Sequence, residues 1–369
     1  MILALHLFLL ALFFAAAVWL IRRTINLYTA EERQQRLYAG EKPVRSKAAA
    51  LGITAAAVLF LLAAALLLLR PSGGIACGML LIPGLLLTVF GAAILLFSAD
   101  LDSMLAGFAL EQGGRFLGAQ GLYLVTGTAD TAGVLLPAVS VCMAAPSLLI
   151  LWMLADLFRR RMGTADLNDA KGFGRKKPVL RAAVLFALAS LAGLPLTPGY
   201  LTRSAIFGML ETGGRFGAGQ GTEALALFCS FAEWVFLVAG GLGIAGALKL
   251  YVCAFMERNP MYQPGYDAMR RRYAEAGMIR ALTLCMLALA VPAAAAHLGL
   301  FLAGRIGGYY AASELRGTAL TCVIGLSVYV AVVRTVCIVP GQDGAKYVSR
   351  LPRLKRRSGR RGRKEQDHA

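Results

Sequence analysis

Apolar runs of about twenty residues recur along this chain, and they restrict what it can become before any motif is considered. Ile2–Ile21, Ala48–Leu69, Ile75–Ser98 and Val134–Phe158 are each long enough to cross the hydrocarbon core of a bilayer as a helix. With 58% hydrophobic residues and a mean hydropathy of +0.65, the composition argues against a soluble fold. The expected fold class is an all-α polytopic membrane protein. Its first run lacks the basic n-region and small-residue cleavage pattern of a signal peptide, so it reads as a retained span.

The formal charge of +18 raises the question of nucleic acid, and its placement answers it. Lys and Arg cluster in four segments: seven in Arg22–Lys47, seven in Arg159–Lys177, five in Arg258–Arg280 and ten in Lys346–Lys364. Basic loops between spans mark the cytoplasmic side. With further spans at Leu105–Val125, Ala224–Phe255, Ile279–Leu302 and Thr318–Val339, and one broken element, the chain makes about nine crossings. All four basic segments then share one face, with the N-terminus outside, the C-terminus cytoplasmic and the chain in the cell membrane. No nucleic-acid partner is expected. The tail from Arg350 to Lys364 is a charge run suited to anionic lipid headgroups.

The broken element is the most informative stretch. A basic loop from Thr164 gives way at Pro178 to an apolar helix, which is interrupted by Pro195, Pro198 and Gly199. A second half, Tyr200–Leu210, leads to a glycine-rich outer loop, Glu211–Glu223. A helix broken inside a bilayer frees backbone groups that only surrounding protein or a wet cavity can satisfy. Arg203 follows the break directly.

Chemistry elsewhere is sparse. The seven cysteines form no C-x-x-C pair and the three histidines (His6, His297, His368) build no ligand cluster, so neither a metal nor a cofactor is expected. No nucleophile elbow, phosphate loop or dinucleotide fingerprint appears, and no catalytic residue is assigned. What remains is a set of intramembrane charges: Glu111, Arg115, Arg203, Glu233 and Lys249. A charge at mid-bilayer costs at least ~2.5–3.5 kcal/mol on insertion scales, so each needs a partner or a wet cavity. Glu111 and Arg115 stand at i, i+4 and can pair. Lys249 lies two turns from the inner end of its span and can snorkel, as can Arg181 and Arg334. Asp156 pairs with the arginines after it. Glu233 has no neutralising neighbour in sequence.

GTADLNDAKGFGRKKPVL, followed by LASLAGLPLTPGYLTRSAIF, closely resembles the proton-conducting, antiporter-type subunits of respiratory complex I (NADH:quinone oxidoreductase). The same pattern occurs in multi-subunit sodium/proton antiporters and membrane-bound hydrogenases. Upstream, SADLDSMLAGFALEQGG is similar to the family's aspartate-bearing helix start, and GALKLYVCAFME to a later helix end. The resemblance covers about Ile75–Glu257. It implies an antiporter-like half-bundle at 75–257 with its broken helix at 178–211. Two spans and a basic loop precede it at 1–74, two spans follow at 258–339, and a basic tail fills 340–369. The resemblance also shows losses. The family's channel lysine or glutamate after the break falls on Arg203, and arginine is effectively never deprotonated. Its K-R pair falls on Asp102 and Ser103, and Val134–Phe158 holds no His or Lys. The chain is therefore expected to be a divergent, shortened subunit of the membrane arm of a complex I-like or hydrogenase-type proton-translocating complex. Its channel would be degenerate and its partners other membrane subunits. The alternatives are an ion/proton antiporter subunit with a relay rewired through Glu111, Glu233 and Lys249, and a membrane scaffold.

Overall fold

The structure is a computed structural model describing residues 15, 18–24, 26, 74–126, 131–219, 223–259, 262–268, 274, 276–304, 306–341 and 344–349. The run 48–69, most of the run 2–21 and the basic tail beyond 349 lie outside the described residues. Among the described residues the chain is helical apart from one small hairpin and its loops.

Helices α1 (Gly74–Phe97) and α2 (Leu101–Thr126) form the tightest pair. A Cβ on Gly84 would come within 2.6 Å of Gly118 N, and one on Gly91 within 2.5 Å of Glu111 N. The two backbones therefore touch, as small residues allow in membranes. Asp100 turns the corner by accepting from Ser103 N at 3.1 Å and Ser103 Oγ at 3.2 Å. Helix α3 (Thr131–Met162) ends in three arginines. Arg160 meets Asp156 at 2.7 Å, and Arg159 reaches both Asp156 and Asp102.

A polar loop with the short helix α4 (Leu167–Ala170) leads into α5 (Pro178–Ala192), whose Pro178 stands at the first helical position. Helix α6 (Pro198–Gly219) follows the break. The expected outer loop from Glu211 is instead helical through Gly219, with Arg215 and Glu211 paired at 2.5 Å. A half-helix starting inside the bilayer needs this extra length to reach the surface, and the i, i+4 ion pair supports its last turns.

Helix α7 (Glu223–Tyr251) continues as a π-helical turn, Val252–Met256. After α8 (Gln263–Ala268) come α9 (Ala276–Leu302), α10 (Ile306–Tyr309) and α11 (Ala312–Val328), the last extended by a π segment, Tyr329–Cys337. The chain then forms the hairpin β1 (Ile338–Gly341) and β2 (Gly344–Tyr347), with Ile338 opposite Tyr347. That hairpin was unforeseen.

Four described helices carry apolar stretches long enough to cross a membrane: Leu80–Phe97, Ala226–Met256, Ala276–Leu302 and Leu315–Cys337. The stretches on α9 and α11 are only 17% and 22% buried, so their apolar faces point outward. The core lies between α2, α3, α5, α7 and α9, built around Phe108, Leu154, Phe158, Leu180 and Leu250. The fragment 18–24 packs on α9, with Thr24 Oγ1 3.5 Å from Cys285 Sγ.

Candidate functional site

The break between α5 and α6 is five residues long and largely satisfies its own backbone. Gly193 adopts φ 68° and ends α5 with its N–H on Ala189 O and Ser190 O, while Leu194 N returns to Ala189 O at 3.0 Å. Thr197 Oγ1 donates to Leu194 O at 2.6 Å, and Thr202 Oγ1 to Gly199 O at 2.9 Å. Leu196 is held at φ 67°, a left-handed conformation that costs a non-glycine residue roughly 1–2 kcal/mol. Gly199 is compulsory for a different reason. A Cβ there would sit 1.7 Å from Ser190 O, so the start of α6 lies in backbone contact with the end of α5.

One carbonyl left by the break is Leu191 O, and α2 reaches over to fill it. Arg115 Nη1 donates to it at 3.1 Å and Gln112 Nε2 at 3.2 Å. Arg115 Nη2 also pairs with Glu111 on its own helix. Glu111 is 2% exposed and rests on Gly243 of α7, where a Cβ would come within 2.8 Å of both carboxylate oxygens. Arg203, 8% exposed, folds its stem over Gly193 and donates to Gly317 O at 3.2 Å and to Thr321 Oγ1. Its guanidinium lies 5.3 Å from the Phe207 ring centre. Between the two arginines is a cavity of about 20 Å³, lined by Gln112, Arg115, Thr202, Arg203, Phe236 and Gly240. The structure thus brings together Glu111, Arg115 and Arg203 at the break; of the residues expected to form it, Pro195 lies in the break itself, whereas Pro198 and Gly199 are the first residues of α6.

Glu233 and Lys249 are not part of this cluster. Glu233 is exposed on α7, next to exposed Trp234. Lys249 is 1% exposed and donates to Leu95 O at 2.9 Å, Leu96 O at 2.7 Å and Ser98 O at 2.5 Å. It does not snorkel as expected. The C-terminal carbonyls of α1 form a ready acceptor set with the negative end of a helix dipole behind it, so the ammonium binds there. Arg181 does stay outward, donating to Tyr251 Oη at 2.8 Å.

Sequence reasoning missed several partners. Thr321 and Gly317 lie more than a hundred residues from Arg203, and Gln112 carries no charge to attract notice. His297 Nε2 lies 2.7 Å from Tyr310 Oη, which accepts from Leu196 N at 3.3 Å and stacks on Tyr200. A pattern search for metal ligands gives no weight to such a lone histidine.

A second polar cluster closes one end of the bundle. Lys171 pairs with Glu257 at 3.2 Å, Tyr347 Oη donates to Glu257 at 2.7 Å, and Lys176 meets Asp267 at 2.7 Å. Asn168 bonds the Tyr347 backbone in both directions, at 2.9 and 2.7 Å. Lys177 is fully buried, donating to Phe173 O at 2.5 Å and Tyr266 O at 3.1 Å, with its ammonium 4.0 Å over the Phe173 ring. Burial pushes its pKa down to about 8, partly offset by the Asp267 carboxylate. Burial likewise lifts the Tyr266 hydroxyl to about 12.

Residues 41–217, a little under half of the chain, match the family described as the NADH:quinone oxidoreductase/Mrp antiporter transmembrane family. The match takes in the second apolar run, which sequence reading placed outside the resemblance, and stops short of α7. A stretch of 54 residues is 41% identical to NADH-quinone oxidoreductase subunit N 2 of Chloroherpeton thalassium, covering 15% of this chain. The aligned stretch spans about a tenth of that relative's length. Over residues 41–217, this multi-pass membrane chain is similar to the proton-conducting, antiporter-type membrane subunits.

Proposed function

We propose that the chain is a divergent subunit in the membrane arm of a complex I-like or related hydrogenase-type complex, with a degenerate proton channel and a role in packing and sealing. One observation carries this reading. At the helix break, where the resemblance implies a titratable lysine or glutamate, the chain holds Arg203. It is buried and bound to Gly317 O and Thr321. A guanidinium keeps its proton at every physiological pH, so the position cannot load and release one. The separation of Glu233 and Lys249 from the cluster argues against a rewired antiporter relay.

The N-terminus faces outward and the basic segments face the cytoplasm, with the tail against anionic headgroups. Supporting this, parts of three basic segments (159–177, 258–280 and the start of 346–364) meet at one end of the bundle through Lys176–Asp267, Lys177–Tyr266 and Asn168–Tyr347. Other membrane subunits are the expected partners. Affinity purification from native membranes tests the assignment. Recovery with quinone- or hydrogenase-type redox subunits is the expected result; recovery as a lone chain would favour a scaffold.

A further inference from the structure

We propose that one face of α7, from Leu227 to Val238, docks a membrane-spanning helix of a partner protein that brings a Lys or Arg to Glu233. Leu227, Phe231 and Trp234 are 75, 60 and 59% exposed, and Val238 is exposed too. Their spacing of four, three and four residues is that of a helix–helix seam. The next position in that series, Gly241, is already covered: a Cβ there would come within 2.5 Å of Ile324 Cγ2 on α11. The seam is therefore in use from Gly241 onward and open in the half of α7 nearer Glu223.

An apolar seam alone would suit lipid tails. Glu233 sets this one apart. It lies beside the seam, ten residues into α7 and about 15 Å from its start, one turn from Phe236 on the wall of the cavity at the break. A carboxylate at that depth is costly in hydrocarbon, and its short stem cannot carry it to the surface. Among the described residues neither it nor the Trp234 indole N–H has a hydrogen-bond or counter-ion partner. The charge that acts on Glu233 is that of Glu211 on α6, which is also negative and is paired with Arg215. The complement of such a face is a helix carrying a cation for Glu233, with Trp234 as the aromatic anchor. A second copy related by a two-fold axis on this face would set carboxylate against carboxylate.

The test is photocrosslinking of the full-length chain in its native membranes, with benzoylphenylalanine replacing Phe231 and the joined peptides identified by mass spectrometry. The expected product is a single protein adduct, to a membrane-spanning segment of a different protein with a Lys or Arg within one turn of the joined residue. Glu233→Lys, which sets like charges against each other, should cut that adduct about tenfold, and changing the partner's cation to Glu should restore it. Should Glu233→Lys fail to accumulate, Glu233→Gln replaces it, with a smaller loss expected. Adducts to lipid alone, to a second copy, to another part of this chain or to a span without a cation would overturn the proposal. So would an adduct indifferent to the Glu233 variant. Docking here needs only that the chain spans a membrane: such an adduct to a protein outside any redox complex would support it while contradicting the function proposed above.

Discussion

Each buried charge here has been given a partner of a different kind, and the differences set what its removal does. Lys249 binds three carbonyls at the end of α1, so Lys249→Met leaves a helix terminus without donors inside the protein. A loss of about 2–3 kcal/mol is expected in denaturation of the detergent-solubilised chain. Glu111 is the counter-charge of Arg115, and Glu111→Ala should be worse, about 3–5 kcal/mol, because a part-buried guanidinium loses its carboxylate. Lys177 makes a pH prediction. Its pKa falls from 10.5 in the unfolded chain to about 8 in the folded one. Between those values the unfolded state binds the extra proton, so stability rises with pH from about 8 to 10.5 and is flat below 8. The unfolding free energy of wild type minus that of Lys177→Met should climb across this window. A flat difference would show that the ammonium is not desolvated.

At the scale of elements, what was legible in the sequence followed from local rules. Pro178 opens α5, Gly193 closes it, and Pro198 opens α6, so the broken helix could be read from prolines and glycine alone. The Glu111–Arg115 pair was readable too, being i, i+4. Illegible were the contacts that need the third dimension: Arg115 crossing to Leu191 O, Thr321 holding Arg203, and α1 offering carbonyls to Lys249. The α6 extension through Gly219 was missed because glycine reads as a loop in water, whereas a membrane helix tolerates it. The hairpin Ile338–Tyr347 straddles the end of the apolar run Thr318–Val339 and the start of the stretch read as a basic tail, so neither segment showed it. Close glycine contacts carry the element-scale prediction. Gly199→Ala drives a methyl into Ser190 O and should separate α5 from α6, costing over about 3 kcal/mol. Gly208→Ala, with nothing within 4 Å, is the control and should be neutral or slightly stabilising. Thermal unfolding of the two variants side by side checks the contrast.

The whole molecule combines a bundle closed at one end by a polar cap with a charge cluster fixed at the broken helix. Asn168, Lys171 and Lys177 from one loop, Glu257 and Tyr266 from another, and Tyr347 from the hairpin tie that end together. Glu111, Arg115 and Arg203 hold the middle, and the titratable side chains near the break among the described residues include the paired Glu111 and His297, which reaches the break through Tyr310. On the function proposed above, such an arrangement seals rather than conducts. Proton flux into proteoliposomes containing the purified chain, driven by an imposed pH or sodium gradient, measures this directly. Flux at the level of empty vesicles is predicted, unchanged in Glu111→Gln and Glu233→Gln. Flux well above that level, lost in either variant, would contradict the account.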